Sequence, residues 1–508
     1  MLAYSRTAVV IGIQAFPVTV EIDVSPGLPA FNIVGLPEAA VKESRERVKA
    51  AIKNCGYPFP TQRITLNLAP ADLKKEGAGL DLPIAAAILC AQGILPQECI
   101  QDLLLLGELS LNGAIKSTRG TLPITLAARN WNIKAMLTPE ENAGEAAVVK
   151  DMTVYPVGHL SQLVEFLLGS TTIAPATANL ENIARQQLPL DDFEDVVGQE
   201  QAKRAMEITA AGGHNVLMTG PPGSGKTMLA RRLPSILPPL TFEEALETTC
   251  IYSVAGLLPK DQPIIFTRPF CAPHHTISEP GLIGGGSIPR PGQVSLAHNG
   301  VLFLDELPEF RKDTLEALRQ PLEDGQVTLS RAIVSITFPA RAMLVCAQNP
   351  CPCGHFGDTR HACTCHPNQI SRYRSRISGP LLDRIDLHIE VPAVPHQELS
   401  QARRGEPSAT IRERVSQARN IQSQRFQGTH IHCNAQMSAR EIRKYCALDK
   451  GSQGFLEQAA AKLGMSARAY HRILKIARTI ADLQNSPIIQ IKHIAEAVQY
   501  RSWDRQKN

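Results

Sequence analysis

The sequence lacks any apolar run near the ~18 residues that a membrane-spanning helix needs, so we expect no membrane partner. Its longest apolar stretches, 82–90 and 103–106, have the length of buried core elements. A basic start followed by an apolar block and a small-residue cleavage site is also missing, which argues against a secretory signal and favours a cytoplasmic location. With 44% hydrophobic and 20% charged residues, the composition is that of a folded globular protein.

Hydrophobic patterning divides the 508 residues into four parts. Residues 1–168 mix strand-type alternation with helical periodicity, and 169–189 are small and polar, as in a linker. Strands alternate with helices over 190–392, which is typical of a parallel sheet, whereas 393–508 carry helical patterns only. The predicted fold class is therefore α/β, with an N-terminal α/β domain, a parallel-sheet core and a C-terminal all-α lid.

Charge is distributed unevenly along the chain. Residues 1–390 contain 33 Lys and Arg against 39 Asp and Glu, whereas 391–508 contain 19 against 9. A basic C-terminal region on a mildly acidic chain favours a polyanionic partner. A solvated basic helical surface explains the charge alone equally well.

A complete phosphate-binding-loop pattern lies between a predicted strand at 216–219 and a predicted helix that starts at 228. Its glycines let backbone N–H groups converge on phosphates at the positive end of a helix dipole. Lys226 would neutralise the β- and γ-phosphates of ATP, and Thr227 would ligate Mg²⁺. The predicted nucleotide-binding residues are Gly220, Pro221, Pro222, Gly223, Ser224, Gly225, Lys226 and Thr227.

Two further strand ends supply candidate catalytic side chains. The apolar strand 301–304 ends in Asp305 and Glu306, at the sheet edge where ligands bind in open α/β folds. Asp305 would hold Mg²⁺, usually through water, and Glu306 would polarise the attacking water. Asn349 follows another apolar strand, and its amide can position that water, although this signal is weak alone.

These motifs, together with 380–387 (PLLDRIDL), resemble an AAA+ ATPase. Four longer stretches, 272–276, 282–286, 296–308 and 349–354, resemble the Mg-chelatase-like branch of that superfamily. Over essentially its whole length the chain is similar to the YifB/ComM group of competence-associated helicases.

The resemblance implies roles for two arginines. Arg384 matches the arginine finger, which reaches the nucleotide of a neighbouring subunit, and Arg468 matches the sensor-2 arginine of the helical lid. Both would place positive charge where phosphoryl transfer spreads negative charge. A structural ion pair is the alternative for each, since Asp383 and Asp386 flank Arg384. A finger acting in trans implies a ring, by family analogy a homo-hexamer.

Two inserts in the core are expected to face the pore of such a ring. Segment 281–294 holds five glycines and Arg290, and is predicted to be a mobile loop. Segment 326–338 alternates on both sides of Arg331, which predicts a hairpin with a basic tip. The related branch uses such a hairpin to contact DNA, and a basic tip suits phosphate. An exposed surface hairpin is the alternative.

Twelve cysteines are too few for a disulfide scaffold of this length, and four of them fall within fifteen residues. Four thiolates with two nearby imidazoles, His355 and His366, are enough for a tetrahedral structural zinc site. A reduced surface loop and redox chemistry are the alternatives, because Cys-x-Cys is tighter than the usual spacing. The predicted zinc ligands are Cys351, Cys353, Cys363 and Cys365.

The N-terminal domain resembles the proteolytic domain of Lon-type proteases, with 107–113 as the matching strand and turn. That protease requires a Ser–Lys dyad. The serine's segment, 76–81, contains no serine, and the lysine's position falls on Leu122. Lys116 and Ser117 lie nearby in the wrong register. We therefore predict a non-catalytic module for assembly or DNA binding.

The leading hypothesis is an ATP-dependent hexameric DNA translocase or helicase that promotes branch migration during recombination and natural transformation. Residue chemistry alone supports the ATPase, whereas the DNA step depends on the family resemblance, the basic C-terminal region and the hairpin. The implied partners are DNA, whether single-stranded, double-stranded or branched, and a recombinase. The alternative is an ATP-driven protein-remodelling motor of the Mg-chelatase type. An ATP-dependent protease would need the dyad that this chain lacks.

Overall fold

The computed structural model describes the chain except for residues 76, 78, 181–190, 260, 287–288, 331–334, 359–360, 394–404 and 502–508, and the side chains of 39 and 40. The chain forms two compact units. Unit 1 comprises Met1–Gln187 and Phe242–Phe266, and unit 2 comprises Leu188–Thr241 and Thr267–Asn508. In the described part of the chain, we find no helix with the length and apolarity needed to cross a membrane.

Unit 1 is built on a seven-stranded mixed sheet with the strand order β3-β4-β2-β1-β5-β8-β9. The strands are β1 Leu2–Ile11, β2 Gln14–Ser25, β3 Ala30–Val34, β4 Arg63–Ala69, β5 Leu103–Leu105, β8 Ala135–Pro139 and β9 Thr153–Val157, with a separate pair β6 Glu108–Leu109 and β7 Ile115–Lys116. The helices are Ala39–Asn54, Asp81–Ala91, Thr121–Asn130, Glu140–Ala146, Leu160–Leu167 and Phe242–Ala255. The helix Asp81–Ala91 is buried along its whole length, as its apolar run predicts.

The helix Phe242–Ala255 belongs to unit 1, although the hydrophobic pattern had placed this segment within 190–392. Cys250 packs against Leu122 and Val149 in a small apolar cluster. The carbonyl of Ser253 accepts a hydrogen bond of 3.2 Å from the backbone N–H of Gly120. Long-range packing of this kind leaves no local signal in the sequence.

Unit 2 is built on a five-stranded sheet with the order β11-β14-β17-β10-β18, in which every neighbouring pair is parallel. The strands are β10 Val216–Thr219, β11 Phe270–Cys271, β14 Val301–Leu304, β17 Met343–Gln348 and β18 Leu387–Glu390. The first of them in the chain, β10, therefore lies between β17 and β18. A phosphate-binding loop after β10 is thereby placed at the crevice where strand order reverses.

Two antiparallel pairs interrupt this parallel pattern: β12 Gly284–Gly285 with β13 Arg290–Pro291, and β15 Gln326–Ser330 with β16 Ser335–Pro339. The second pair is the predicted hairpin, and its connection, including Arg331, lies outside the described residues. The helices of unit 2 are Glu200–Gly212, Lys226–Ile236, Glu279–Ile283, Gln293–Leu296, Lys312–Ala317, Arg319–Asp324, Pro367–Arg374, Gly379–Leu382, Ser408–Arg425, Ala439–Tyr445, Lys450–Leu463, Ala467–Leu483 and Ile491–Gln499.

One apolar core joins the sheet of unit 2 to its C-terminal helices. It contains Val216 and Val345 from the sheet and Ile473 and Ala477 from the helix Ala467–Leu483, all of them fully buried. The described residues after 405 contain helices and turns, apart from an isolated β-bridge. The predicted fold class, an α/β chain with a parallel-sheet core and a C-terminal helical region, is confirmed.

Candidate nucleotide-hydrolysis site

The loop after β10 has the backbone of a phosphate cradle. Gly223 and Gly225 have φ values of 72° and 88°, in the region that glycine adopts at little cost. A side chain at Gly220 would collide with the carbonyl oxygen of Val391 at the end of the adjacent strand. The helix Lys226–Ile236 follows directly, so its free N–H groups face the loop. Sequence and geometry thus agree on an anion site.

Lys226 lies at the centre of this loop with a largely buried side chain. Its Nζ donates hydrogen bonds to the carbonyl oxygens of Gly220 at 2.8 Å and Pro221 at 2.9 Å, and to Asn349 Oδ1 at 3.3 Å. Burial lowers the pKa of Lys226, although the charges of Asp305 and Glu306 oppose this shift. A buried ammonium among neutral acceptors is a fitting environment for phosphate.

Thr227 and Asp305 form a paired set of oxygen ligands. Thr227 Oγ1 donates to Asp305 Oδ2 over 2.7 Å, and Asp305 Oδ1 accepts from the N–H of Glu306 at 2.9 Å. A hydroxyl and a carboxylate beside a phosphate cradle are the donors that Mg²⁺ prefers. These residues therefore fit the predicted metal.

Glu306 is the second residue after β14 and has a positive φ of 51°, which is strained for a residue with a side chain. Its side chain is 55% exposed, and its Oε2 lies 3.4 Å from Nδ1 of His275. His275 comes after β11, the next strand of the sheet, and its ring contacts that of His274, with centroids 4.1 Å apart and planes inclined by 34°. Glu306 is thus both accessible and held by a neighbouring residue.

The sequence motifs included His275 only within the stretch 272–276 and gave it no role. The signal available was a pair of histidines a few residues after a strand. Only the parallel pairing of β11 with β14 places this pair beside Glu306.

Arg384 is paired within its own chain. Its Nη2 lies 2.6 Å from Glu323 Oε2, and its Nη1 donates to the carbonyl oxygen of Pro380 at 2.9 Å. The flanking Asp386 instead lies 3.4 Å from His214 and 3.5 Å from Arg472. An ion pair of the kind weighed above therefore exists, but its partner is Glu323.

Arg468 is exposed in the first turn of the helix Ala467–Leu483. The hydrogen bond from Arg384 lowers the pKa of Glu323, and the charge of Arg468 adds to this shift. Glu323 therefore brings the two candidate arginines into one electrostatic neighbourhood. Sequence reasoning missed Glu323, which carries no motif.

The four clustered cysteines converge directly after Asn349. The sulfur atom of Cys353 lies 3.4 Å from that of Cys351 and 3.6 Å from that of Cys363, and Cys351 and Cys363 are 3.7 Å apart. Cys365 belongs to the same group, in which all ligand atoms lie within 4.8 Å. Tetrahedral zinc with Zn–S bonds of about 2.3 Å has S···S separations of about 3.8 Å. The arrangement therefore fits the predicted metal.

Backbone groups support these sulfur atoms. The N–H of Phe356 donates to Cys351 Sγ and that of Cys353 donates to Cys365 Sγ, both at 3.3 Å. Hydrogen bonds from the backbone N–H groups of His355 and Thr364 lower the pKa of Cys353 to about 5. Such N–H···S contacts favour the thiolate form that a metal requires, whereas burial and the neighbouring thiols raise the pKa of Cys363 and Cys365.

The candidate DNA-contacting and protease positions are placed as follows. Arg290 is exposed in β13, whereas Arg331 lies outside the described residues. Leu122, at the position of the Lon lysine, is fully buried, and Lys116 and Ser117 are exposed.

Three family models match successive parts of the chain. "Subunit ChlI of Mg-chelatase" matches residues 20–142, "Magnesium chelatase, subunit ChlI" matches 192–399, and "Magnesium chelatase, subunit ChlI C-terminal" matches 405–501. A local similarity extends to Lon protease 2 of Bacillus subtilis, which is 32% identical over 157 residues, 28% of this chain and 27% of that protein.

Several relatives match over nearly the full length, among them a competence protein and an uncharacterized protein. Competence protein ComM of Haemophilus influenzae is 46% identical over 511 residues, and the uncharacterized protein YifB of Salmonella typhimurium is 46% identical over 505. Each alignment covers 99% of this chain and 98% of the relative. The chain therefore belongs to the YifB/ComM group of the Mg-chelatase-like AAA+ ATPases.

Proposed function

We propose that this protein is a homo-hexameric, ATP-dependent DNA translocase or helicase that promotes branch migration during recombination and natural transformation. One observation carries the catalytic part: Lys226, the Thr227–Asp305 pair, Glu306 and Asn349 converge at one edge of a parallel sheet. The similarity to a competence protein supports the biological setting.

Each residue of this site has a role in ATP hydrolysis. Lys226 would neutralise the β- and γ-phosphates, in place of its contacts to loop carbonyls. Thr227 and Asp305 would hold Mg²⁺, which when bound neutralises charge on the phosphate oxygens. Glu306 would accept a hydrogen bond from the attacking water and polarise it, while the amide of Asn349 orients that water.

Arg384 and Arg468 would complete the site in the assembled ring. Arg384 would leave Glu323 to reach the nucleotide of the neighbouring subunit, and Arg468 would approach the nucleotide of its own subunit. The pair is 2.6 Å long, with Arg384 10% exposed and Glu323 59% exposed, so solvent screens it on the glutamate side and favours its release. Beside the nucleotide, the positive charge of Arg384 would stabilise the transition state by far more free energy than a surface ion pair contributes.

The two inserts of unit 2 support a shared DNA-contacting surface. A side-chain carbon at Gly284 in β12 would lie 3.3 Å from Leu329 Cδ1 in β15, so the two antiparallel pairs pack together. Arg290 is exposed in β13, and Arg331 belongs to the connection of the β15–β16 hairpin. We assign both arginines to contacts with DNA phosphates, supported by the basic charge after residue 390.

Zinc at Cys351, Cys353, Cys363 and Cys365 would be structural in this proposal, because four thiolates leave no open coordination position. Unit 1 would serve assembly or DNA binding, since Leu122 fills the lysine position of the protease dyad. A recombinase is the protein partner that this function implies.

ATPase rates with single-stranded, double-stranded and branched DNA test the proposal most directly, together with strand displacement from a synthetic Holliday junction. We expect DNA to stimulate hydrolysis and the protein to move the junction only with hydrolysable ATP. Glu306→Gln is the matched control, because it should bind ATP and DNA without moving the junction.

The competing function is an ATP-driven protein-remodelling motor, which the three matches to magnesium chelatase subunit models favour. Such a motor would hydrolyse ATP at the same rate with and without every DNA tested. That result, obtained with assembled rings, would replace the DNA proposal with this one.

A further inference from the structure

A second group of metal-type ligands lies within the same loop as the cysteines, but contains none of them. It comprises His355, Asp358 and His361, whose ligand atoms lie within 4.8 Å of one another. Nδ1 of His355 and Nδ1 of His361 each lie 3.3 Å from the same oxygen, Oδ2 of Asp358. The two imidazole rings have centroids 4.9 Å apart and are inclined by 41°.

These distances match those of ligands that share one metal ion. Zinc binds imidazole nitrogen and carboxylate oxygen at about 2.0–2.2 Å, so two such ligands at a tetrahedral ion lie about 3.3–3.5 Å apart. The observed distance from Asp358 Oδ2 to each imidazole nitrogen, 3.3 Å, agrees with that separation. It is also longer than the usual N–H···O hydrogen bond of about 2.9–3.0 Å.

The chemistry of the group differs from that of the cysteine cluster. Two imidazoles and a carboxylate form a nitrogen–oxygen set suited to Zn²⁺, Co²⁺ or Ni²⁺, without the thiolates that select softer ions. Three protein ligands leave a fourth position open to water, as in non-structural zinc sites. The Asp358 side chain is 9% exposed and that of His361 is 66% exposed. The site therefore combines a buried carboxylate with an imidazole that is accessible to solvent.

We propose that His355, Asp358 and His361 form a second metal site, an open and exchangeable site for one divalent transition-metal ion, beside the closed four-cysteine site. Two of the ligands, His355 and Asp358, are held on one backbone turn, in which the N–H of Asp358 donates a hydrogen bond to the carbonyl oxygen of His355 at 3.1 Å. His361 closes the site from the following segment.

The contrasting interpretation is a metal-free triad, in which each imidazole donates a hydrogen bond to Asp358. Both interpretations fit one set of coordinates, but they differ in metal stoichiometry. The triad predicts one ion per chain, at the cysteines, whereas the second site predicts about two ions per chain, each with its own ligand class.

The experiment uses the untagged full-length protein, stripped of metal under reducing conditions and titrated with Co²⁺. We expect the first equivalent to give thiolate-to-cobalt charge-transfer absorption, and a second to add only the weak d–d bands of nitrogen and oxygen ligands. After loading with Zn²⁺ and desalting, elemental analysis should find about two ions per chain.

Three substitutions and a control identify the ligands. His355→Ala, His361→Ala and Asp358→Asn should each lose the second ion and keep the charge-transfer band of the first, which also reports that the loop is folded. His430→Ala, an exposed histidine outside this loop, should retain both ions. Wild-type protein that binds a single ion with the thiolate band, or variants that still bind two ions, would overturn the proposal. If the wild-type protein instead binds one ion without the thiolate band, the cysteine site is refuted and the second site is supported.

Discussion

Replacing Glu323 with glutamine removes the charge that holds the Arg384 guanidinium within its own chain. The pair is short, at 2.6 Å, and Arg384 is mostly buried while Glu323 is 59% exposed. If Arg384 must leave this contact to act on the nucleotide of a neighbouring subunit, the contact stabilises the ground state and not the transition state. Weakening it should therefore accelerate ATP hydrolysis in assembled rings.

The size of the gain follows from the exposure of the pair. Because Glu323 is exposed, we take the range of exposed ion pairs, about 0.2–1 kcal/mol, as the contribution of this pair, and glutamine keeps a neutral hydrogen bond to the arginine. Since about 1.4 kcal/mol corresponds to a tenfold change in rate, we expect an acceleration of about 1.4- to 5-fold. The Michaelis constant for ATP should change little, because Glu323 does not contact the phosphate loop in the described structure. The gain should shrink at high salt, which already screens the pair.

Steady-state ATPase assays at saturating ATP, on rings verified by size, measure this effect. Asp313→Asn is the control, because it disrupts an exposed ion pair with Arg311 at 2.7 Å that does not involve Arg384 or Glu323. A Glu323→Gln rate as low as that of Arg384→Ala would refute the reasoning, since Glu323 would then hold the finger in its productive position. Rings that mix Arg384→Ala subunits with Lys226→Ala subunits should regain part of the ATPase activity if Arg384 acts in trans.

Four further outcomes are expected. Glu306→Gln should bind ATP but hydrolyse it at least ~10²-fold more slowly, and a nucleotide-binding assay beside the ATPase assay separates the two effects. His275→Ala should lower kcat more than it changes ATP affinity, because His275 contacts Glu306. His274→Ala is its control, and equal losses in both variants would assign the effect to the contact between the two histidine rings. Cys351→Ser should lower zinc content and destabilise the loop, measured by elemental analysis and limited proteolysis. Arg331→Ala should preserve basal ATPase but reduce DNA stimulation and unwinding together, with a smaller salt dependence of DNA binding.

The phosphate loop could be predicted residue by residue because its chemistry is contiguous. Eight neighbouring residues specify both the backbone conformation and the ligands. Asp305, Glu306 and Asn349 could be predicted almost as well, since each follows a buried strand and parallel strands present their carboxyl ends at one edge. Patterning along the chain was sufficient to place residues whose position depends on where an element ends.

Contacts between elements could not be predicted in this way. His275 reaches Glu306 only because β11 pairs with β14, and no property of the sequence near 275 encodes that pairing. The aspartates beside Arg384 were the obvious partners in sequence, yet Glu323, about 60 residues earlier, is the partner in space. Segment 242–266 packs in unit 1 for the same reason: its apolar residues specify that it is buried, but not against which unit.

The cysteine loop is connected to the nucleotide site at two points. Asn349, which accepts a hydrogen bond from Lys226, is separated from Cys351 by a single residue. At the other point, Gly354 has a φ of 86° and lies so close to Pro222 of the phosphate loop that a side chain would collide with the proline ring. A metal ion bound by the four cysteines would therefore fix the position of the Asn349 amide and of one wall of the phosphate cradle. Because four thiolates would leave no position for a reacting ligand, a metal ion at this cluster would influence hydrolysis through geometry and not as a Lewis acid.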